Sequence, residues 1–175
     1  MRAFKLCGGY VTLVDEEDIP KLSKYNWYLD EQNKGRGTGY YRVRTKIGSW
    51  VSMPRYLLGI TDPKIQVDHI NGNPLDNRRK NLRIATHGQN MHNSGKQKSI
   101  NGKPCTSKYK GVTLFRSRPH KGKYGTYEYW RAQICVDGEM IYLGQHKTEE
   151  DAARVYNTEA IKHFGDFARL NEIAS

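Results

Sequence analysis

The sequence predicts an α+β protein of small antiparallel sheets and a few helices, split into two parts by a polar linker. Three observations carry that prediction. Short apolar and aromatic runs recur between glycines, which is strand patterning. A strand–turn–strand–helix pattern fills 65–93, and three strands followed by one long helix fill 108–165. Between them, Ser94 to Ser107 is polar, with Gly, Ser, Asn, Lys and one Pro, and has no apolar periodicity, which reads as a linker over 94–107.

Composition bounds the function. A chain of 175 residues suits one domain or two small ones. Lys plus Arg is 29 against 18 Asp plus Glu, a net charge of +11 that points to a polyanionic partner, most often nucleic acid. The charge is uneven. Residues 1–52 carry nine basic and six acidic side chains, and 53–93 carry six and three. Residues 94–135 carry ten and one, and 136–175 carry four and eight. No run approaches the roughly 18 apolar residues of a membrane span, which excludes an integral membrane protein. Met1 to Leu6 has no apolar signal core, which argues against secretion. Cys7, Cys105 and Cys135 are odd in number and far apart, so neither a disulfide framework nor a four-cysteine zinc site is expected, and a cytoplasmic, reducing setting fits.

The N-terminal region, 1–52, reads as mostly β. Tyr10 to Val14 forms a strand and Asp15 to Tyr25 holds a short helix. Trp27–Leu29 and Tyr40–Arg44 are strands turned by Gly35, Gly37 and Gly39, and Trp50–Met53 is another. Arg55 to Leu58 begins a short helical segment.

The stretch after it is the most informative. Ile65 to Ile70 is a strand, Asn71-Gly72-Asn73-Pro74 is dense turn chemistry, and Asn81 to Ala85 returns. Thr86 with Gln89 is a capping box opening a helix that carries Asn90 and Asn93. Asp68 offers a carboxylate oxygen and Asn90 an amide oxygen, hard donors that suit Mg²⁺ or Mn²⁺. His69, next to Asp68, faces the other way on a regular strand, so the two serve one site only where the strand ends or bulges. An imidazole titrating near neutrality can take a proton from a water that attacks phosphorus. Taken alone, an Asp-His pair beside an Asn-Gly turn is usually an ordinary surface loop.

The whole string from Asp68 to Arg83, DHINGNPLDNRRKNLR, resembles the HNH nuclease motif of phage and intron homing endonucleases, with Asp68-His69, Asn81 and Asn90 matching in type, order and spacing. The resemblance implies a ββα-metal nuclease core over 53–93. In it Asp68 and Asn90 bind the metal, His69 is the general base, and Asn81 braces the loop that orients it. Hydrolysis in that family leaves 5′-phosphate and 3′-hydroxyl ends. Members often carry a His-Arg pair upstream. Here it is Pro54-Arg55, which leaves Arg55 to assist phosphate binding alone. Arg78, Arg79, Lys80 and Arg83 are expected to grip the DNA backbone beside the cut. His92, on a different helix face from Asn90, reads as a solvent or DNA contact, and Asp76 as a turn cap.

In the C-terminal part, Lys108–Phe115, Tyr129–Val136 and Glu139–Gly144 are strands, with Asp137-Gly138 as a hairpin turn. The loop between the first two carries Arg116, Arg118, Lys121 and Lys123. Thr148 caps the helix, Glu149, Glu150 and Asp151 fill its first turn, Ala152, Tyr156, Ala160 and Phe164 form its apolar stripe, and Gly165 ends it. YKGV, WRAQI, YLG and TEEDAARVYNTEAIKHFGDFARLN, in this order, resemble the AP2 DNA-binding domain over about 108–171. The resemblance implies a sheet that enters the major groove, with Lys110, Arg116, Trp130, Arg131, Gln133 and Tyr142 as contacts and Arg118 beside them. Trp130 stands between that role and the core. Thr113 replaces an arginine of the plant pattern, so base preference is expected to differ.

The expectation is an HNH homing-type endonuclease, phage- or intron-encoded, acting on double-stranded DNA with Mg²⁺ or Mn²⁺ and without an obligate protein partner. Arg42, Arg44 and Lys46 of the N-terminal sheet are expected to add minor contacts. The competing readings are a DNA-binding regulator with an inactive HNH remnant and a basic RNA-binding protein.

Overall fold

The computed structural model describes residues 2–32, 40–96, 99–100, 102–117 and 127–174. The turn expected at Gly35, Gly37 and Gly39 and the cations Arg118, Lys121 and Lys123 lie outside these residues. The chain divides into two compact units, Met1–Asn90 and Met91–Ser175. The architecture is mixed, with several small antiparallel sheets.

In the first unit, β1 (Arg2–Lys5) and β2 (Val11–Val14) form a hairpin in which Arg2 faces Val14. A 3₁₀ turn at Glu16–Asp18 runs into α1 (Ile19–Leu22), with Pro20 in its first turn where no hydrogen bond is lost. Next come β3 (Tyr28–Gln32), β4 (Tyr40–Ile47) and β5 (Ser49–Ser52), an antiparallel sheet in chain order. Then α2 (Met53–Leu58) ends at Gly59, whose φ of 70° is the left-handed cap that favours glycine. Residues β6 (Gln66–His69) and β7 (Leu82–Ala85) pair antiparallel and lead into α3 (His87–His92). Val14, Leu22, Trp27, Val43, Met53, Leu57 and Leu82 make the core, and Trp27 Nε1 donates to Leu22 O at 2.9 Å.

Strand β1 lies where the sequence gives no strand pattern. Only Phe4 of it packs on the core, so pairing with β2 rather than local propensity makes it a strand. On β4, Val43 and Thr45 are buried, which turns Arg42, Arg44 and Lys46 to the opposite face. There Arg44 pairs with Asp30 at 3.1 Å and lies 4.1 Å over the Trp50 ring.

The second unit opens with a small hairpin, β8 (Ser99–Ile100) and β9 (Lys103–Pro104). Strands β10 (Val112–Arg116), β11 (Glu128–Val136) and β12 (Glu139–His146) form one antiparallel sheet in that order. The turn residues Asp137 and Gly138 both have positive φ, 51° and 88°, as the Asp-Gly pair predicts. Helix α4 (Glu149–Phe164) starts where Thr148 Oγ1 accepts from Asp151 N at 3.1 Å and buries Ala152, Ala153, Tyr156 and Ala160.

The end of the segment expected as a linker, Thr106 and Ser107, makes hydrogen bonds within this unit. Ser107 is buried and donates to Glu149 Oε1 at 2.6 Å, and Thr106 Oγ1 accepts from Leu114 N at 3.0 Å. These are hydrogen bonds of a polar segment, which leave no apolar period to read in a sequence. The division between units falls after Asn90, inside α3.

Candidate active site

Strand β6 alternates its side chains. Val67 packs on the core, as does Leu82 across the ladder. Gln66 and Asp68 therefore point to the other face, opposite Ala85 and Arg83. Asp68 is buried, and its Oδ2 accepts from Arg83 Nε at 2.8 Å and lies 2.7 Å from Nη2. The capping box at the start of α3 is reciprocal: Thr86 N donates to Gln89 Oε1 at 2.9 Å and Gln89 N to Thr86 Oγ1 at 3.2 Å. That fixes α3 so that Asn90 Nδ2 donates to Gln66 Oε1 at 3.1 Å, placing Asn90 on the Asp68 face with its amide oxygen on the end away from Gln66. Gln66 Nε2 also lies 3.4 Å from His87 Nδ1.

His69 is the last residue of β6. The chain turns at once, with Ile70 N donating to Asn81 O at 2.9 Å and Gly72 N to His69 O at 2.7 Å. His69 Nε2 meets Asn77 Oδ1 at 3.1 Å. Burial pushes the imidazole below its ordinary range, against the Asn77 hydrogen bond and the charges of Asp68 and Asp76, which favour its protonated form. Asn81 spans the loop. Its Oδ1 accepts from Asn71 N at 3.0 Å, and its Nδ2 donates to Asn71 Oδ1 at 3.0 Å and Asp76 O at 2.7 Å. These contacts of Asp68, His69 and Asn90 run to three different partners, and His69, opposite Leu82 in the ladder, lies on the other face of β6 from Asp68.

A scan of family profiles matches residues 57–92 to an HNH endonuclease domain, the stretch from the end of α2 to the end of α3. An uncharacterized HNH endonuclease of Acanthamoeba polyphaga mimivirus, L560, is 31% identical over 170 residues, covering 94% of this chain and 76% of its own. The chain belongs to the HNH endonuclease family. Protein 3.8 of Escherichia phage T7 is 32% identical over 104 residues, 59% of this chain and 74% of that protein. No solved structure gives a significant match. HNH endonucleases act on DNA and generally use a divalent metal.

In this HNH endonuclease most of the cations expected on phosphate hold the protein itself. Arg55 donates from Nη1 to Ile65 O and from Nη2 to Asp62 O at 2.7 Å, closing the loop after α2. Arg78 grips Asp76 at 2.6 and 2.5 Å, and Arg79 grips Asp18 at 2.9 and 2.6 Å. Arg83 is on Asp68, while Lys80 is exposed. Their partners lie up to 61 residues away, beyond the reach of a local reading.

The sheet of the second unit has a helix side and an open side. Trp130, Ala132 and Ile134 alternate onto the helix side, so Trp130 packs on Tyr109, Val112 and the alanines of α4. Arg116, in line with Val112, pairs with Glu128 at 2.7 Å. Lys110 donates to His92 O at 2.7 Å and Ser94 O at 2.8 Å, and burial, then Arg169, pushes its ammonium down to about 8. His92 stacks on Phe164 at 3.8 Å rather than standing in solvent. Arg131, Gln133 and Tyr142 occupy the open side. Arg131 lies 5.2 Å over Phe115 and 5.8 Å over Tyr142, and Phe115 stacks on Tyr129 at 4.8 Å. The sequence reading missed Phe115 and Tyr129, although Thr113 and Arg131, their neighbours by alternation, mark that side.

Proposed function

We propose that this chain hydrolyses phosphodiester bonds of double-stranded DNA as a homing-type endonuclease, with one divalent ion at Asp68 and Asn90. The donors fit a hard ion: one carboxylate and one amide oxygen on the same face of the β6–β7 pair. Among the described residues no three His, Cys, Asp or Glu side chains cluster for a metal, so water and phosphate would complete the shell. When bound, Mg²⁺ or Mn²⁺ supplies charge stabilisation at the scissile phosphate and its leaving oxygen. His69, whose imidazole burial pushes toward its neutral form, takes the proton of the attacking water. Asn81 holds the loop from Asn71 to Asp76 and with it the turn that ends β6 at His69. Arg83 holds Asp68 in place and faces the incoming phosphate as a second cation.

Residues 53–93 act in this reading as a ββα-metal core, and 108–171 as an AP2-like sheet domain. Arg131, Gln133 and Tyr142 on its open side meet the major groove, where a β-ribbon fits. Lys80, with Arg42, Arg44 and Lys46 on the exposed face of β4, adds backbone contacts, while Lys110 and Trp130 serve the unit's own packing.

The observation that carries the reading is His69 at the very end of β6, beside a buried carboxylate and above a loop tied down by Asn81. The test is cleavage of duplex DNA with Mg²⁺ by the full chain. His69→Ala is expected to lower the rate by about 10²–10⁴-fold with DNA binding retained. Binding without cutting in either Mg²⁺ or Mn²⁺ would identify instead a regulator with an inactive remnant.

A further inference from the structure

Asn77 is fully buried, and the sequence reading gave it no role. Its surroundings fix which end of its amide faces which way. The Nδ2 group donates to Thr12 Oγ1 at 2.9 Å and to Pro74 O at 3.1 Å. Thr12 is also fully buried, and its own hydroxyl proton goes to Leu75 O at 2.8 Å, so toward Asn77 the hydroxyl can only accept. Both partners on that side are thus acceptors, and the side facing them must be the NH₂. The backbone is equally committed. Asn77 N donates to Leu13 O and Leu13 N to Leu75 O, each at 2.8 Å, stitching β2 to the loop. What remains is Asn77 Oδ1, 3.1 Å from His69 Nε2. An amide oxygen only accepts, so the neutral imidazole must carry its proton on Nε2.

We propose that Asn77 is a positioning residue that selects the Nε2–H tautomer of His69 and so leaves Nδ1 as the nitrogen that accepts a proton. This rests on the reading of His69 as the base. The proton count balances: the attacking water gives one proton to Nδ1 and its hydroxide to phosphorus, while Nε2 keeps its own proton, hydrogen-bonded to Asn77 Oδ1. The hydroxyl of Thr12, some 60 residues earlier in the chain, sets the amide that sets the ring.

The experiment uses the full chain at about pH 8.5, well above the ordinary imidazole range of about 6.5, so that His69 is neutral. Long-range ¹H–¹⁵N correlation spectra of ¹⁵N-histidine protein read its tautomer, and cleavage kinetics with Mg²⁺ read kcat and KM. The wild type is expected to show Nε2–H; Nδ1–H there overturns the proposal without any variant. Asn77→Leu removes the acceptor and is expected to lose at least about tenfold in kcat at unchanged KM, with a mixed tautomer signature. A folded Asn77→Leu protein with wild-type kcat, or with Nε2–H undisturbed, also overturns the proposal. Unchanged cleavage by His69→Ala would instead remove the role of base while the tautomer spectra still decide what Asn77 does.

Discussion

Asp76 is buried with its charge, and the hydrogen bonds from Arg78 and Asn71 to its carboxylate make that tenable. Arg78 meets both carboxylate oxygens, at 2.6 and 2.5 Å, Asn71 Nδ2 donates to Oδ2 at 2.9 Å, and Asn81 Nδ2 donates to its carbonyl at 2.7 Å. The Arg78 hydrogen bonds hold the carboxyl below its usual range. A depressed folded value means the contribution is present above the unfolded carboxyl value of about 3.9 and is lost as pH falls through the lower folded value. Asp76→Asn is expected to cost about 1–3 kcal/mol at pH 7, measured by urea unfolding, and to flatten the loss of stability below about pH 4. An unaltered acid limb would count against the assignment. Asp68, His69, Asn81 and Asn90 were legible as a set because their types and spacing form a motif. Asn77 was not, since its partner Thr12 is brought to it only by the pairing of β2 with the loop.

Among the elements, the contact between α4 and its sheet is the tightest to read. Gly111 has a φ of 75°, and a Cβ there would lie 2.0 Å from Tyr156 Cδ2 and 2.6 Å from Gln133 O. Gly111→Ala is therefore expected to destabilise the second unit by more than about 2 kcal/mol, through both strain and overpacking. Thr148→Ala, which removes only the cap of α4, is expected to cost about 1 kcal/mol. Thermal unfolding of the full chain compares the two, and equal losses would contradict the packing argument. Helix α4 was readable because cap, acidic first turn, apolar stripe and terminal glycine all agree, and the Thr86–Gln89 box for the same reason. Trp130 shares its side of β11 with the buried Ala132 and Ile134, an alternation already present in the sequence.

Across the whole molecule, charge is the feature with the widest consequence. Ten basic residues against one acidic lie in 94–135. Binding of a short duplex is expected to weaken steeply with salt, with log K falling by roughly 0.9 per log unit of salt for each phosphate neutralised. A salt series by fluorescence anisotropy checks this, and a slope near zero would contradict a backbone-contacting sheet. The sequence shows the chain's excess of cations but not their deployment, because Arg55, Arg78, Arg79 and Lys110 are engaged by carbonyls and carboxylates of the protein itself.

The stitching of β2 to the loop has a practical corollary. The family match begins at residue 57, yet Thr12 fastens Asn77, and Asp15 and Asp18 fasten Arg79. The 57–92 stretch is thus no portable cassette. Grafted into another scaffold it would carry every motif residue and still lack the neighbours that hold its imidazole still.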